Sequence, residues 1–224
     1  MSSGAQVRRR ATMVGDAGSS LVELLVAMGI TVSVLGVSGL LAAQMQGAYQ
    51  LQNESTQSKQ EGRYALDLIA RYLRAAGNNP YSLLISPCPA AGTPILAIRI
   101  DPNGDKVNDD IRLQSDVSPT NGRIGGLAKG CTEADEDVTF GFDRAQHVVT
   151  LLDNNIGGGA QPKTDTVVSA LQFVYRDASR NLTAVAANVV FVEVDLTVQS
   201  RVNDPATKAP AQYALSSDIR LRNR

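Results

Sequence analysis

Between Leu24 and Ala43 the chain carries no ionisable side chain, and before Pro80 it carries no proline. The first absence leaves an apolar run long enough to cross the hydrocarbon core of a bilayer as a helix, which takes about 20 residues. The second leaves nothing in the chain to break that helix. Histidine and cysteine are almost missing as well. One histidine, His147, with two cysteines cannot make an ordinary structural zinc site. No Gly-x-Ser-x-Gly elbow, His-Glu-x-x-His pair or phosphate-cradling glycine loop occurs, so catalysis has no motif to stand on and the chain reads as a non-enzyme. Acid pairs such as Asp109 and Asp110 read as solvated surface, because the sequence supplies no cleft to tune them. A net charge of −1 leaves no basic surplus, which argues against a nucleic-acid partner. Internal repeats and long low-complexity tracts are absent too.

What is present is concentrated at the N-terminal end. Arg8, Arg9 and Arg10 stand against a single acid, Asp16, in the first 18 residues. Basic residues flanking a first membrane helix keep that side in the cytoplasm, so residues beyond Ala43 are expected on the far side. Gly18 and Ser19 follow, and then Glu23 sits at the mouth of the apolar run. A carboxylate at the edge of lipid is costly unless it is paired, which makes Glu23 a functional candidate that needs a cationic partner. One alternative is a simple membrane anchor whose Glu23 snorkels to the interface. Another is secretion with cleavage after Ala43, although Leu41-Ala42-Ala43 matches the small-x-small rule poorly.

Gly18, a small residue, and then Leu21-Val22-Glu23-Leu24-Leu25-Val26-Ala27-Met28 resemble the class III signal of type IV pilins and type II secretion pseudopilins. The resemblance implies cleavage by a prepilin peptidase between Gly18 and Ser19, usually with methylation of the new N-terminus, although the family commonly has Phe where this chain has Ser19. It also implies that Glu23 of one subunit pairs with the Ser19 ammonium of a neighbour when the helices stack in a filament. Removing three arginines and one aspartate with the leader would move the net charge from −1 to about −3.

The helix is expected to outlast the membrane. Gln44 to Ala76 is free of proline, and Tyr64, Leu68, Ile69, Tyr72, Leu73 and Ala76 recur at three- and four-residue spacing, the stripe of an amphipathic helix. Gly77 is placed to cap it and Pro80 to stop it. A helix from Ser20 to Ala76 would be roughly 85 Å long at 1.5 Å per residue. Gly36, Gly39, Gly47 and Gly62 weaken it locally and allow close packing or bending.

Beyond Pro80 the pattern is β. Strands are expected over Ile95–Ile100, Val138–Phe142, His147–Leu152, Thr166–Tyr175, Asn188–Gln199 and Tyr213–Leu221, separated by glycine and Asx-Pro turns. The fold class expected is therefore α+β, one long helix packed on a C-terminal antiparallel sheet. In residue terms this means a leader over 1–18, a helix over 19–77 with its membrane part at 21–43 and its amphipathic part at 44–77, and a β-rich domain over 78–224.

Three later stretches narrow the resemblance: Leu66 to Gly77, Leu171 to Tyr175, and Leu215 to Arg224. In order along the chain they are similar to PilW-type minor pilins and to the related J-type minor pseudopilins. That similarity implies a pilin-like fold in a minor subunit acting at filament initiation or at the tip. The implied location is the bacterial inner membrane, with the C-terminal domain in the periplasm. Implied partners are other pilins and minor pilins, the prepilin peptidase, the inner-membrane assembly platform and membrane lipid. The absence of a membrane proline fits a minor subunit better than a major one. Type IV pilus and type II secretion remain alternatives, as does a signal-anchored binding protein.

Two further expectations concern the β-rich part. Cys88 and Cys131 both lie beyond the membrane helix, where disulfides persist, so they are expected to pair, with two free thiols as the alternative. Closing that loop would stabilise the domain by about 4 kcal/mol in the chain-entropy model. Asp101, Asn103, Asp105, the Val107 carbonyl and Asp109 match the first nine positions of a calcium loop. Lys106 and Arg112 depart from that pattern at its sixth and twelfth positions, and a polar turn with solvated acids is the other reading. No other cofactor is expected.

Overall fold

A computed structural model of the chain describes residues 20–82, 95–117, 124, 133–204 and 206–223. The chain divides into two compact units at Gly47/Ala48. One helix, α1 (Leu21–Ala75), runs through both.

In the first unit α1 is uniformly apolar and uncovered. Every large apolar side chain from Leu21 to Leu41 is between 55% and 76% exposed. Its most apolar window has a mean hydropathy of 2.2, and none of that window is buried inside the protein. The helix is thus long and apolar enough to cross a membrane. Its few hydroxyls are satisfied internally: Thr31, Ser33 and Ser38 donate to the carbonyls of Ala27, Gly29 and Val34 at 2.7, 2.9 and 2.8 Å. Bonding back to the fourth preceding carbonyl lets a hydroxyl sit on an apolar helix without seeking water.

In the second unit the same helix becomes one-sided. Ser55, Ser58, Gly62, Ala65, Leu66, Ile69 and Leu73 are buried at three- and four-residue spacing. Gly62 permits the closest approach, because a Cβ there would lie 2.5 Å from Leu215 Cδ1 and 2.9 Å from Val198 Cγ1. Ser58 donates to the Gln199 carbonyl at 3.0 Å.

The described strands form two antiparallel sheets. The first has five strands in sequence order: β1 (Ile98–Ile100), β2 (Ile111–Gln114), β3 (Asp137–Asp143), β4 (Val148–Asp153) and β5 (Gln161–Pro162). The second has three: β6 (Val168–Arg176), β7 (Phe191–Asn203) and β8 (Pro210–Arg220), with β7 in the middle. A 3₁₀ turn at Ala186–Asn188 leads into β7. On β7 the alternation is clean, with Val192, Val194, Leu196 and Val198 buried and Phe191, Glu193, Asp195 and Thr197 half-buried. The core joins the buried face of α1 to Ile111, Leu113, Phe140 and Phe173, and Tyr72 meets Phe140 edge-on at 5.3 Å between ring centres.

Several boundaries differ from expectation. Only Ile98–Ile100 of the first expected strand pairs. His147 takes a left-handed φ of 57° in the turn before β4 rather than opening the strand. Asn188 belongs to the 3₁₀ turn, and β7 continues to Asn203. The short strands β2 and β5 were not foreseen. A bidentate pair holds β2 to β3: Arg112 Nε and Nη2 each lie 2.6 Å from an Asp137 oxygen, with Gln114 Nε2 on the same carboxylate at 2.8 Å.

Candidate functional site

Glu23 lies in the first turn of α1, one residue before the uncharged run begins. The turn is closed by the Leu24 N–H donating to the Ser20 carbonyl at 3.1 Å. A helix N-terminus carries partial positive charge from its unsatisfied N–H groups, so an acid there is stabilised where it stands. Glu23 is exposed and makes no ion pair with any described residue. The arrangement presents one carboxylate, without an ion-pair partner among the described residues, on a helix whose following side chains up to Ile30 are uncharged and mostly apolar. The predicted cleavage residues Gly18 and Ser19, the basic residues Arg8, Arg9 and Arg10, and the cysteines Cys88 and Cys131 lie outside the described residues.

The acidic loop between β1 and β2 is held by its own amides. Asp101 Oδ1 accepts the N–H groups of Gly104 at 2.9 Å and Asp105 at 3.1 Å, and its Oδ2 accepts that of Lys106 at 2.9 Å. Asn103 Oδ1 accepts the Asp105 N–H and Asp105 Oδ1 the Val107 N–H. These are the local side-chain-to-backbone bonds that Asx residues favour in turns. Lys106, at the position where a calcium loop needs glycine, has a left-handed φ of 66°. Asp109, the ninth-position candidate, pairs with Arg144 at 2.6 Å instead of turning to the loop. Among the described residues no three His, Cys, Asp or Glu side chains form a group able to hold a metal ion. In this structure the oxygens of Asp101, Asn103 and Asp105 are thus occupied by the loop's own amides, and Asp109 by Arg144.

Asp110 is the unusual member of this stretch. It is 5% exposed, and its Oδ2 accepts the Asn103 N–H at 3.2 Å. Its Oδ1 is buried without a hydrogen-bond partner among the described residues. Burial, reinforced by the charges of Asp101, Asp109 and Asp105 against the opposing Asn103 N–H, pushes its carboxyl up from 3.8 to about 6. The nearby Tyr175 hydroxyl is raised as well, by burial first and then by Asp110 and Asp101. With the folded-state value above the unfolded one, Asp110 contributes stability that is complete below about pH 4 and lost as pH rises through 6. Asp110→Asn keeps an acceptor for Asn103 and removes the charge. In chelator-containing buffer at pH 7.5 it should stabilise the protein by about 1–3 kcal/mol, and the gain should shrink towards zero at pH 4. Chemical denaturation at the two pH values measures this, and an equal effect at both would refute the assignment.

His147, the one histidine, has Nδ1 3.1 Å from the Val168 carbonyl, which makes that nitrogen a donor to backbone. It lines a shallow recess with Asp109 and Arg144, whose charges are spent on each other. Sequence reasoning did not single out a second charged feature, a groove at the end of β8 lined by Arg74, Arg220 and Arg222. The alternation Asp218-x-Arg220-x-Arg222 was the available signal.

No family model matches the chain, and comparison with curated proteins and with solved structures finds no match.

Proposed function

We propose that the chain is a minor subunit of a type IV pilus, held in the inner membrane by the first part of α1 and assembled through it after removal of the leader at Gly18/Ser19. The observation that carries this reading is the exposed, uncharged helix surface from Leu24 to Ala43, opened by the single acid Glu23. A water-soluble protein rarely exposes an apolar patch of that extent, so this surface calls for lipid or for neighbouring helices. A plain anchor would satisfy the apolar surface but leaves Glu23 without a purpose. A filament of stacked helices uses both: the apolar surfaces pack on one another, and each Glu23 takes the new Ser19 ammonium of the next subunit. Since that ammonium exists only after cleavage, processing and assembly are coupled by one ion pair. The self-bonded hydroxyls of Thr31, Ser33 and Ser38 allow the same surface to exchange lipid for protein without breaking a hydrogen bond to either.

Mass spectrometry of the native protein's N-terminus tests the reading. A mature chain beginning at Ser19 is expected. An intact leader would make the protein a signal-anchored one, and a chain beginning at Gln44 a released one; either result removes the filament proposal.

A further inference from the structure

The outer side of β8 is open. β8 pairs with β7 on one side only, and no described strand pairs with its other side. Leu221 N–H donates to the Val190 carbonyl at 2.9 Å, in register with the Phe191↔Arg220 and Val192↔Ile219 pairs. The antiparallel ladder alternates, so odd-numbered residues of β8 bond to β7. The N–H and C=O groups of Gln212, Ala214, Ser216, Asp218 and Arg220 therefore point outward, and none has a recorded partner among the described residues.

A groove of about 470 Å3 follows the last part of this edge. Its lining by Asp218 through Arg222 in unbroken succession is the mark of an edge, since a single face of a strand would present only alternate residues. Arg74, from the last turn of α1, forms its other wall. Asp218, the one carboxylate among the described lining residues, is bound to Arg180 at 2.6 Å. Arg74, Arg220 and Arg222 make no ion pair with any described residue. Charges on edge strands normally guard against pairing with other strands. Here the unpaired charges have one sign, so the edge repels basic strands and a second copy of itself while favouring an acidic one.

We infer that the open edge of β8 receives an extended acidic segment of a partner protein, which adds a strand through main-chain hydrogen bonds and sets its carboxylates on Arg74, Arg220 and Arg222. Main-chain bonds supply affinity in this mode and side chains supply selectivity. Guanidinium groups suit the role because their planar forks meet carboxylates bidentately. The inference stands on the second unit alone and does not depend on the filament reading.

The test uses the full chain in non-ionic detergent with a fluorescein-labelled ten-residue peptide of alternating Glu and Val, read by anisotropy. Binding is expected, and it should weaken by about tenfold or more for the Lys-Val counterpart, for the Glu-Val peptide N-methylated on alternate amides, and for the Arg74→Ser/Arg220→Ser/Arg222→Ser variant. Ser216→Pro should weaken it similarly, because it deletes an outward N–H without removing a bond to β7. The N-methylated peptide leaves the protein unaltered, so its result does not depend on a variant's folding. Equal binding of the methylated and unmethylated peptides would reduce the contact to charge attraction and overturn strand addition. Absence of binding up to about 1 mM peptide overturns the inference outright.

Discussion

Replacing Gly77 by alanine should destabilise the unit from Ala48 to Arg224 by about 2–4 kcal/mol, the largest effect expected of any single methyl group added to this fold. Two causes add. Gly77 follows the end of α1 with φ at 76°, a left-handed conformation that costs an L-residue about 1 kcal/mol. The second cause is contact. An added Cβ would be driven into the main-chain carbonyl oxygen of Asn223 and would lie 2.9 Å from Ala97 Cβ. Neither is the free end of a long side chain, so the C-terminal segment would have to move. That segment is engaged at the same place, for Asn223 Nδ2 lies 3.4 Å from the carbonyls of both Arg74 and Ala75, and Gly77 N–H donates to the Gln114 carbonyl at 2.9 Å. The end of the helix, β2 and the C-terminal tail thus meet around one glycine. Gly158→Ala is the control: its φ is 96° but its Cβ would meet nothing within 4 Å, so only the conformational cost of about 1 kcal/mol is expected. Urea unfolding of both variants in detergent, followed by near-ultraviolet circular dichroism, compares them, and equal losses would show that the contact with Asn223 is unimportant.

Gly77 also shows how far the sequence can be read. Its role as a helix cap was legible from its place between a periodic stripe and Pro80, because capping is a local property. Its burial against Asn223, some 146 residues further on, was not, because nothing local encodes which distant carbonyl will arrive there. The same division runs through the fold. α1 was legible to within one or two residues at each end, since uninterrupted helical periodicity and the absence of proline act over neighbours. β7 was legible through its alternation of valines with polar residues. β2 was missed because Ile111–Gln114 is only four residues long, too short for its alternation to stand out, and because it depends on Asp137, distant in sequence, to hold Arg112. β5 was missed because two residues, one a proline, carry no strand signal. In the acidic loop the i, i+2, i+4 spacing of oxygen-bearing side chains suits a cation and also suits Asx turns, and local spacing does not separate the two. The arginine groove needed the knowledge that β8 is an edge, which is a property of the whole sheet.

If the chain assembles into a filament as proposed, Glu23→Ala should leave the protein in the membrane, leave its leader removable, and lower its recovery in sheared filaments by about a hundredfold or more. The charge is isolated in a way that makes this effect large. From Leu24 to Ala43 there is no second ionisable group that could substitute for it, and among the described residues Glu23 has no partner within its own chain. In a stack of apolar helices a Ser19 ammonium left without its carboxylate would be a buried unpaired charge, costing roughly 3–5 kcal/mol, which corresponds to a factor of about 10² to several thousand in an equilibrium constant. Glu23→Gln should fail nearly as badly, because an amide can accept a hydrogen bond from the ammonium but cannot neutralise it. Glu23→Asp, which keeps the charge on a shorter stem, should recover part of the wild-type level. Thr31→Val serves as the comparison in the same helix: the Thr31 hydroxyl is spent on the Ala27 carbonyl at 2.7 Å, so its loss removes nothing that a neighbouring subunit could use, and assembly should continue. Immunoblots of filament and membrane fractions measure all four variants. If Glu23→Ala entered filaments at the wild-type level, the carboxylate would be an ornament of a membrane anchor and the ion-pair account of assembly would fail. If Glu23→Gln alone assembled normally, hydrogen bonding rather than charge neutralisation would be what the helix start supplies.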